Sequence, residues 1–330
     1  MFAALGETLH SELNSGKADA VIAASVEQNP WFTPDYVRYA IKAICSDMLG
    51  RDALSAWLSG YDPLQKPAKR VGVIMAGNIP LVGFSDMLAI LASGNTCIAK
   101  PSSKDSILTN YVAQSIKRID PSMPLEIVPE IEHPEAMIAT GSDNTITIFK
   151  AKYGGIPAVF RGSRISVAVL SGSETEKELH GLAADIFTYC GLGCRNVSHI
   201  FVPENYDIVK LCDVLSGYNM ENRKYISNYL QNKALAELND KKYFDGGFFT
   251  MTESPETSTF ISEITYSRYS SPVQVDEWLL ANDSRIQCVV AGKSDVRFSH
   301  PRKTYFGQAQ HPALTDYADG IDVMEFLSYI

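Results

Sequence analysis

The chain reads as α/β, with parallel sheets and crossover helices. Two observations predict this. From Val71 onward, short apolar runs alternate with amphipathic stretches of helical period, and the 330 residues suffice for two such domains at ~150 residues each. The region before Val71 is different, because residues 1–60 read as amphipathic helices. Thr33-Pro34 supplies an N-cap followed by proline at the first helical position, and Val37, Ile41, Ile44 and Met48 then share one face.

The expected strands of the first domain are Val71-Gly72-Val73-Ile74-Met75, Thr96-Cys97-Ile98-Ala99, Leu125-Glu126-Ile127-Val128 and Met137-Ile138-Ala139, with helices near 84–91 and 106–119. Residues 145–149 are ambiguous. They follow a small-residue turn that suits a helix start, but Thr145-Ile146-Thr147-Ile148-Phe149 favours strand on propensity. A helix is expected after Ser173-Glu174-Thr175-Glu176, which has the form of a capping box, with Leu179, Leu182, Ile186 and Tyr189 as its apolar face. Val197-Ser198-His199-Ile200-Phe201-Val202 reads as a strand ended by Pro203. Beyond it come helices near 206–216 and 219–238 and strands near 247–251, 258–264 and 286–290. The boundary falls near Gly162, giving domains 1–161 and 162–330, the second including the C-terminal tail.

Composition excludes several classes. A net charge of −9 disfavours a general nucleic-acid binder, which needs a basic face to replace phosphate counterions. Six cysteines without CxxC pairs suggest neither a disulfide framework nor a zinc site, and fit a reducing cytoplasm. No run approaches ~20 apolar residues, and the N-terminus lacks a basic region followed by an apolar core, so a soluble cytoplasmic protein without a membrane span is expected.

The segment richest in chemistry is Gly191-Leu192-Gly193-Cys194-Arg195-Asn196. A thiol attacks as thiolate, and a neighbouring cation or the N–H groups of a tight turn favour that form, so Cys194 is a candidate nucleophile. A cysteine in a Gly-rich loop is also commonly a small packed hydrophobe, and the local sequence leaves both roles open. Two loops of the first domain suit a phosphate ligand. Thr140-Gly141-Ser142-Asp143 follows a strand and could place N–H groups on a pyrophosphate, although an ordinary turn has the same composition. Lys100-Pro101-Ser102-Ser103-Lys104 leaves a strand toward the crevice where open α/β sheets bind ligands, although a lone lysine there is more often simply solvated.

Taken together, Ala76-Gly77-Asn78-Ile79-Pro80-Leu81, Ala92-Ser93-Gly94-Asn95 running into Lys100-Pro101-Ser102-Ser103, Thr140-Gly141-Ser142 and the Cys194 turn resemble the aldehyde dehydrogenase superfamily in order and spacing. They resemble most its acyl-CoA reductase branch of LuxC type, as do 76–86, 166–202 and Tyr317-Ala318-Asp319-Gly320. The resemblance covers about 70–325 and implies an aldehyde dehydrogenase-like fold, with a Rossmann-type cofactor domain and an α/β catalytic domain. It implies Cys194 as the acylated cysteine, and Asn78 as the amide that, with the Cys194 N–H, stabilises the oxyanion. It also implies Lys100 and Ser102 at the adenosine ribose and Thr140, Gly141 and Ser142 at the pyrophosphate.

Two departures from the superfamily pattern refine the implied chemistry. The glutamate that activates water in hydrolytic members lies about thirty-four positions before the nucleophile, where this chain has Phe160, a residue that cannot take a proton. Where NAD-preferring members often carry a glutamate, this chain has Ser103, with Lys104 beside it, which favours NADP(H) over NAD(H). The glutamate that holds the nicotinamide ribose has no match, and Arg268 stands in that region. Arg161, Arg164 and Arg195 are candidate partners for phosphates or the thiolate. The implied reaction is NADPH-dependent reduction of a small-molecule acyl-CoA to an aldehyde through acyl-Cys194, with coenzyme A as the leaving moiety and no metal. The alternatives are an aldehyde dehydrogenase, an acyl-phosphate reductase and a non-catalytic nucleotide-binding scaffold. A homo-oligomer or an acyl-transfer partner protein is left open.

Overall fold

The computed structural model describes residues 1–62, 66–258, 260–293 and 300–330. The chain forms two compact units, Met1–Ser163 with Pro312–Ile330, and Arg164–His311.

The first unit opens with α1 (Phe2–Asn14), α2 (Asp19–Gln28), α3 (Pro34–Ala43), a π-helical turn at Ile44–Met48, and α4 (Arg51–Leu58). Thr33 caps α3 as its sequence suggests, its Oγ1 accepting from Tyr36 N at 3.1 Å with Pro34 at the first position. Leu5, Leu9, Val37, Ile41 and Trp57 are buried in the same core that covers the sheet, so these helices are packing elements. The sheet comprises β1 (Arg70–Ile74), β2 (Thr96–Lys100), β3 (Leu125–Ile127), β4 (Ala136–Thr140) and β5 (Ala158–Arg161). It is parallel throughout, in the order β3-β2-β1-β4-β5, with α5 (Phe84–Ala92), α6 (Ser106–Ile119) and α7 (Asp143–Tyr153) as connections. Chain order reverses between β1 and β4, which makes the carboxyl ends of these two strands the topological switch point.

The second unit contains β6 (Ile165–Val169), α8 (Glu176–Phe187), a 3-10 turn at Thr188–Gly191, β7 (Val197–Pro203), α9 (Ile208–Ser216) and α10 (Arg223–Leu238). It continues with β8 (Phe244–Asp245), β9 (Thr250–Glu253), β10 (Glu263–Tyr269), α11 (Pro272–Ala281), β11 (Ile286–Ala291) and β12 (Lys303–Tyr305). Its seven strands run β12-β11-β6-β7-β10-β9-β8, and all neighbours are parallel except β8 with β9.

Several expectations need correction. Thr145, Ile146 and Thr147 lie inside α7, because Ser142 caps the helix, its Oγ accepting from Thr145 N at 3.3 Å, and Ile146 is buried beneath it. Cap and burial override β-branched propensity there. The capping box of α8 sits two residues later than expected: Thr175 Oγ1 accepts from Glu178 N at 3.3 Å and Glu178 accepts from Thr175 N at 2.8 Å. Glu174 instead accepts from the amides of Ser171 and Gly172 and closes the preceding turn. The strand expected over 258–264 is β10, five residues later, and residue 259 lies outside the described residues. Polar Thr265 and Ser267 hide this strand in the sequence, and their hydroxyls are taken up by His199 on neighbouring β7, at 2.8 and 2.9 Å. The C-terminal tail belongs to the first unit, not with 162–330. It ends in α12 (Val323–Tyr329) and is fastened by Tyr317, whose hydroxyl accepts from Trp57 Nε1 at 2.6 Å and bonds the Tyr61 hydroxyl at 2.7 Å. Tyr61 in turn donates to Asp322 at 2.6 Å. The Tyr317-Ala318-Asp319-Gly320 motif is therefore a structural clasp, with Asp319 and Gly320 both at positive φ.

Candidate active site

In the second unit, α8 stops at Phe187 and the chain then makes an unusual turn. Tyr189, Cys190 and Gly191 have φ of 57°, 59° and 67°, three successive left-handed residues of which only the last is glycine. Such geometry costs of order 1–3 kcal/mol per non-glycine residue and persists only where the surroundings over-determine it. Asn196 does much of this. Its amide donates to the carbonyls of Asp185, Ile186 and Thr188 at 3.0, 3.2 and 2.9 Å, and its Oδ1 accepts from Gly193 N at 2.8 Å. The side chain is 4% exposed, so one amide ties the frayed end of α8 to the loop that carries the thiol. From below, Ser166 on β6 donates its hydroxyl to the Cys194 carbonyl at 2.8 Å, and Cys288 on β11 contacts that hydroxyl at 3.1 Å.

Cys194 stands on this turn as the one exposed thiol; Cys45 is half-buried, and Cys97, Cys190, Cys212 and Cys288 are buried. Cys190, four residues earlier, is 0% exposed and belongs to the packing. Arg195 is half-buried, its Nε donating to the Ala309 carbonyl at 2.5 Å. Asp185, on the last turn of α8, is 1% exposed, and burial pushes its carboxyl up to about 7 against the Gly307 and Ala309 amides that donate to it. His199 is a core residue. Burial holds it down at about 4, so it is neutral at pH 7, bonded to Thr265 and Ser267 and stacked on Trp278.

In the first unit, the expected phosphate and ribose loops gather at the carboxyl ends of β1, β2 and β4. Gly77 is packed so closely that a Cβ there would lie 2.5 Å from Ser102 Oγ and 3.3 Å from Lys104 Cβ, so the 76–81 and 100–104 loops touch only because residue 77 is glycine. The Asn78 loop is held from two sides. Asn29 Nδ2 donates to the Gly77 carbonyl at 3.2 Å, and Leu81, at φ 57°, donates its N–H to Asp105 at 2.7 Å. Ser103 and Lys104 are exposed and Lys100 is half-buried. Thr140, Gly141 and Ser142 form the turn from β4 into α7, with Ser142 exposed at the helix N-terminus. Backbone amides there favour an anion.

Arg161, a candidate for phosphate or the thiolate, and Arg268, which stands in the region of the unmatched ribose glutamate, are both otherwise engaged. Arg161 is 4% exposed and bonds both oxygens of Asp86 on α5, at 2.7 and 2.8 Å, which makes it a buried ion pair. Arg268 donates to the carbonyls of Glu204 and Tyr206 at 2.7 and 3.2 Å and lies 3.6 Å from Glu253. Phe160, on β5, packs against the apolar cluster of Ile74, Ile98, Met137 and Tyr153.

The family model described as acyl-CoA reductase (LuxC) matches residues 38–226, which span the Asn78 loop, both crevice loops and the Cys194 turn. The chain belongs to this family. Among curated LuxC-like relatives, the long-chain acyl-protein thioester reductase of Vibrio harveyi is 26% identical over 164 residues, covering 44% of this chain and 34% of that protein. The enzyme of the same description from Photorhabdus laumondii is 26% identical over 187 residues, covering 50% and 39%. The match thus spans well under half the length of either relative. Among solved structures, aldehyde dehydrogenase 21 from Physcomitrella patens, in complex with the reaction product succinate, superposes with a TM-score of 0.72 at 12% identity, over 99% of this chain and 83% of that one. A glyceraldehyde-3-phosphate dehydrogenase from Methanocaldococcus jannaschii complexed with NADP gives 0.69 at 14% identity, over 93% and 80%. This LuxC-family chain therefore has the aldehyde dehydrogenase α/β fold. Among its described residues, no helix is long and apolar enough to cross a membrane.

Proposed function

We propose that this protein reduces an acyl thioester to an aldehyde through a covalent intermediate on Cys194, with NADPH as reductant. The observation that carries the reading is the exposure of Cys194 on a turn locked by Asn196 and Ser166, while four of the other five thiols are buried. The Cys194 thiolate attacks the thioester carbonyl, forming the Cys–acyl bond and breaking the bond to the leaving thiol, which departs as thiolate. Asn78 and the Cys194 N–H are the proposed donors to the oxyanion, and a side-chain amide fills that role without titrating.

The first unit suits a dinucleotide. Its switch point gathers the Thr140-Gly141-Ser142 turn at a helix N-terminus, and the tight approach at Gly77 brings Ser102 and Lys104 to the same end of the sheet. Lys100 and Ser102 would hold the adenosine ribose. Ser103 and Lys104 would accept a 2′-phosphate that a carboxylate would repel. When bound, NADPH supplies the hydride that takes the acyl group to the aldehyde level. Collapse of the thiohemiacetal then frees the aldehyde and restores the Cys194 thiolate.

Phe160 shapes the outcome. At the sequence position where hydrolytic members carry the water-activating glutamate this chain has Phe160, which cannot take a proton, so water attack on the acyl-enzyme should be slow and the acyl group should wait for hydride or a thiol. Coenzyme A is our first choice of acyl carrier. The acyl-protein thioester reductases among the relatives favour a second reading, in which the acyl group arrives on a partner protein. Single-turnover release of carrier thiol tests both. With the preferred carrier, one equivalent appears without NADPH, and aldehyde forms only when NADPH is added. Continuous release of free acid without NADPH would place a hydrolytic base in the site and overturn the reading.

A further inference from the structure

We infer that Asp185 is a positioning residue for the nucleophile turn: it clamps the 307–309 loop and, through Ala309, fixes the side chain of Arg195, the residue that follows Cys194. The inference rests on the reading of Cys194 as nucleophile but adds a residue to which that reading gives no role. Asp185 accepts from Gly307 N at 2.7 Å through one carboxylate oxygen and from Ala309 N at 2.9 Å through the other. Ala309 is 0% exposed, and its carbonyl accepts from Arg195 Nε at 2.5 Å. One buried residue of the loop is thus threaded between the carboxylate of α8 and the guanidinium of the nucleophile turn.

A second feature of α8 points the same way. Gly181 lies one turn before Asp185 on the same face, and a Cβ there would come within 2.9 Å of both Gly307 N and the Phe306 carbonyl carbon. Those are backbone atoms, which cannot swing aside. The helix therefore presents a bare patch to receive the loop and, four residues later, a carboxylate to hold it. Without Asp185 two buried N–H groups lose their acceptor, the loop has no anchor on α8, and Arg195 loses the carbonyl that orients it. Arg195 follows Cys194 directly in the chain, and a guanidinium held in place there favours the reactive thiolate more than one released into solvent.

The test uses the full chain and iodoacetamide, with alkylation of Cys194 followed by peptide mass spectrometry at pH 7. Asp185→Asn and Arg195→Met should each slow alkylation about tenfold, and the double variant should be no slower than either, since both act through one contact chain. Hydrogen exchange at Gly307 and Ala309 should rise in Asp185→Asn. If Asp185→Asn does not fold, Gly181→Ala opens the loop with the carboxylate intact and should give the same slowing. Wild-type alkylation in a variant whose loop amides exchange faster would overturn the proposal, and so would slowing that multiplies to about a hundredfold in the double variant. Iodoacetamide needs neither acyl donor nor NADPH. A failed clamp would therefore leave acylation of Cys194 intact, whereas a failed nucleophile would show no acyl-Cys194 in the wild type.

Discussion

The two sheets carry their candidate chemistry at opposite ends of their strands and hold it by different means. In the first unit the phosphate and ribose loops leave the carboxyl ends of β1, β2 and β4, and what they offer is backbone N–H groups at the start of a helix. In the second, Cys194 sits at the amino end of β7, where Ser166 near the start of β6 bonds its carbonyl. No helix start organises that turn. Buried polar side chains do so instead, with Asn196 alone making four hydrogen bonds to backbone. An anion site at a helix start is preorganised by the fold itself, whereas a thiol turn that follows three left-handed residues requires dedicated side chains.

Asn196→Ala probes that difference most strongly. It leaves three buried carbonyls and one amide without their partner, so a loss of about 3–5 kcal/mol in urea unfolding is expected. The corresponding change in the first unit, Ser142→Ala, removes one exposed cap and should cost about 1 kcal/mol. Equal costs would erase the contrast.

The next effect is on acid stability and belongs to the second sheet. Burial depresses His199 to about 4 from 6.5, so the folded protein refuses a proton that the unfolded chain accepts. Its contribution is intact above pH 6.5 and is lost as pH falls toward 4, by about 3 kcal/mol in total. Asp185 in the second unit and Asp105 in the first act with opposite sign. Both are pushed up to about 7 by burial, and each makes the folded state gain stability as pH falls from about 7 toward 4. The histidine is isolated by comparison with His199→Gln, whose unfolding free energy should fall less than that of the wild type between pH 6.5 and 4. Parallel curves would show that His199 takes up a proton in the folded state.

The smallest effect concerns the crevice. Ser103→Glu should weaken NADPH binding relative to NADH by about 1 kcal/mol, because the loop is exposed and the repulsion is felt near the water limit. Titration of both dinucleotides measures it. Equal loss for both would place the 2′-phosphate elsewhere.

Legibility followed the reach of the interactions. β1, β2 and β4 are apolar runs buried on both faces, and Thr33-Pro34 is a local cap, so these could be read from short windows. The Gly-rich setting of Cys194 was equally local. β10 escaped because its polarity is satisfied by His199, a residue more than sixty positions away. α7 was ambiguous because its β-branched residues argue against the helix that Ser142 starts. Two of the distant contacts around the Cys194 turn left no local signal: Ser166 meets Cys194 from 28 positions away, and Asp185 meets Gly307 from 122. Arg161 looked available for phosphate because a sequence does not show its buried partner, Asp86.

In the proposed reaction one thiol carries the acyl group. Intact-mass and peptide mass spectrometry after exposure to an acyl-CoA without NADPH identify it directly. The prediction is one acyl group on Cys194, removed by hydroxylamine, absent in Cys194→Ser and retained in Cys190→Ala. An adduct mapped to Cys190, or acylation that survives in Cys194→Ser, would contradict it.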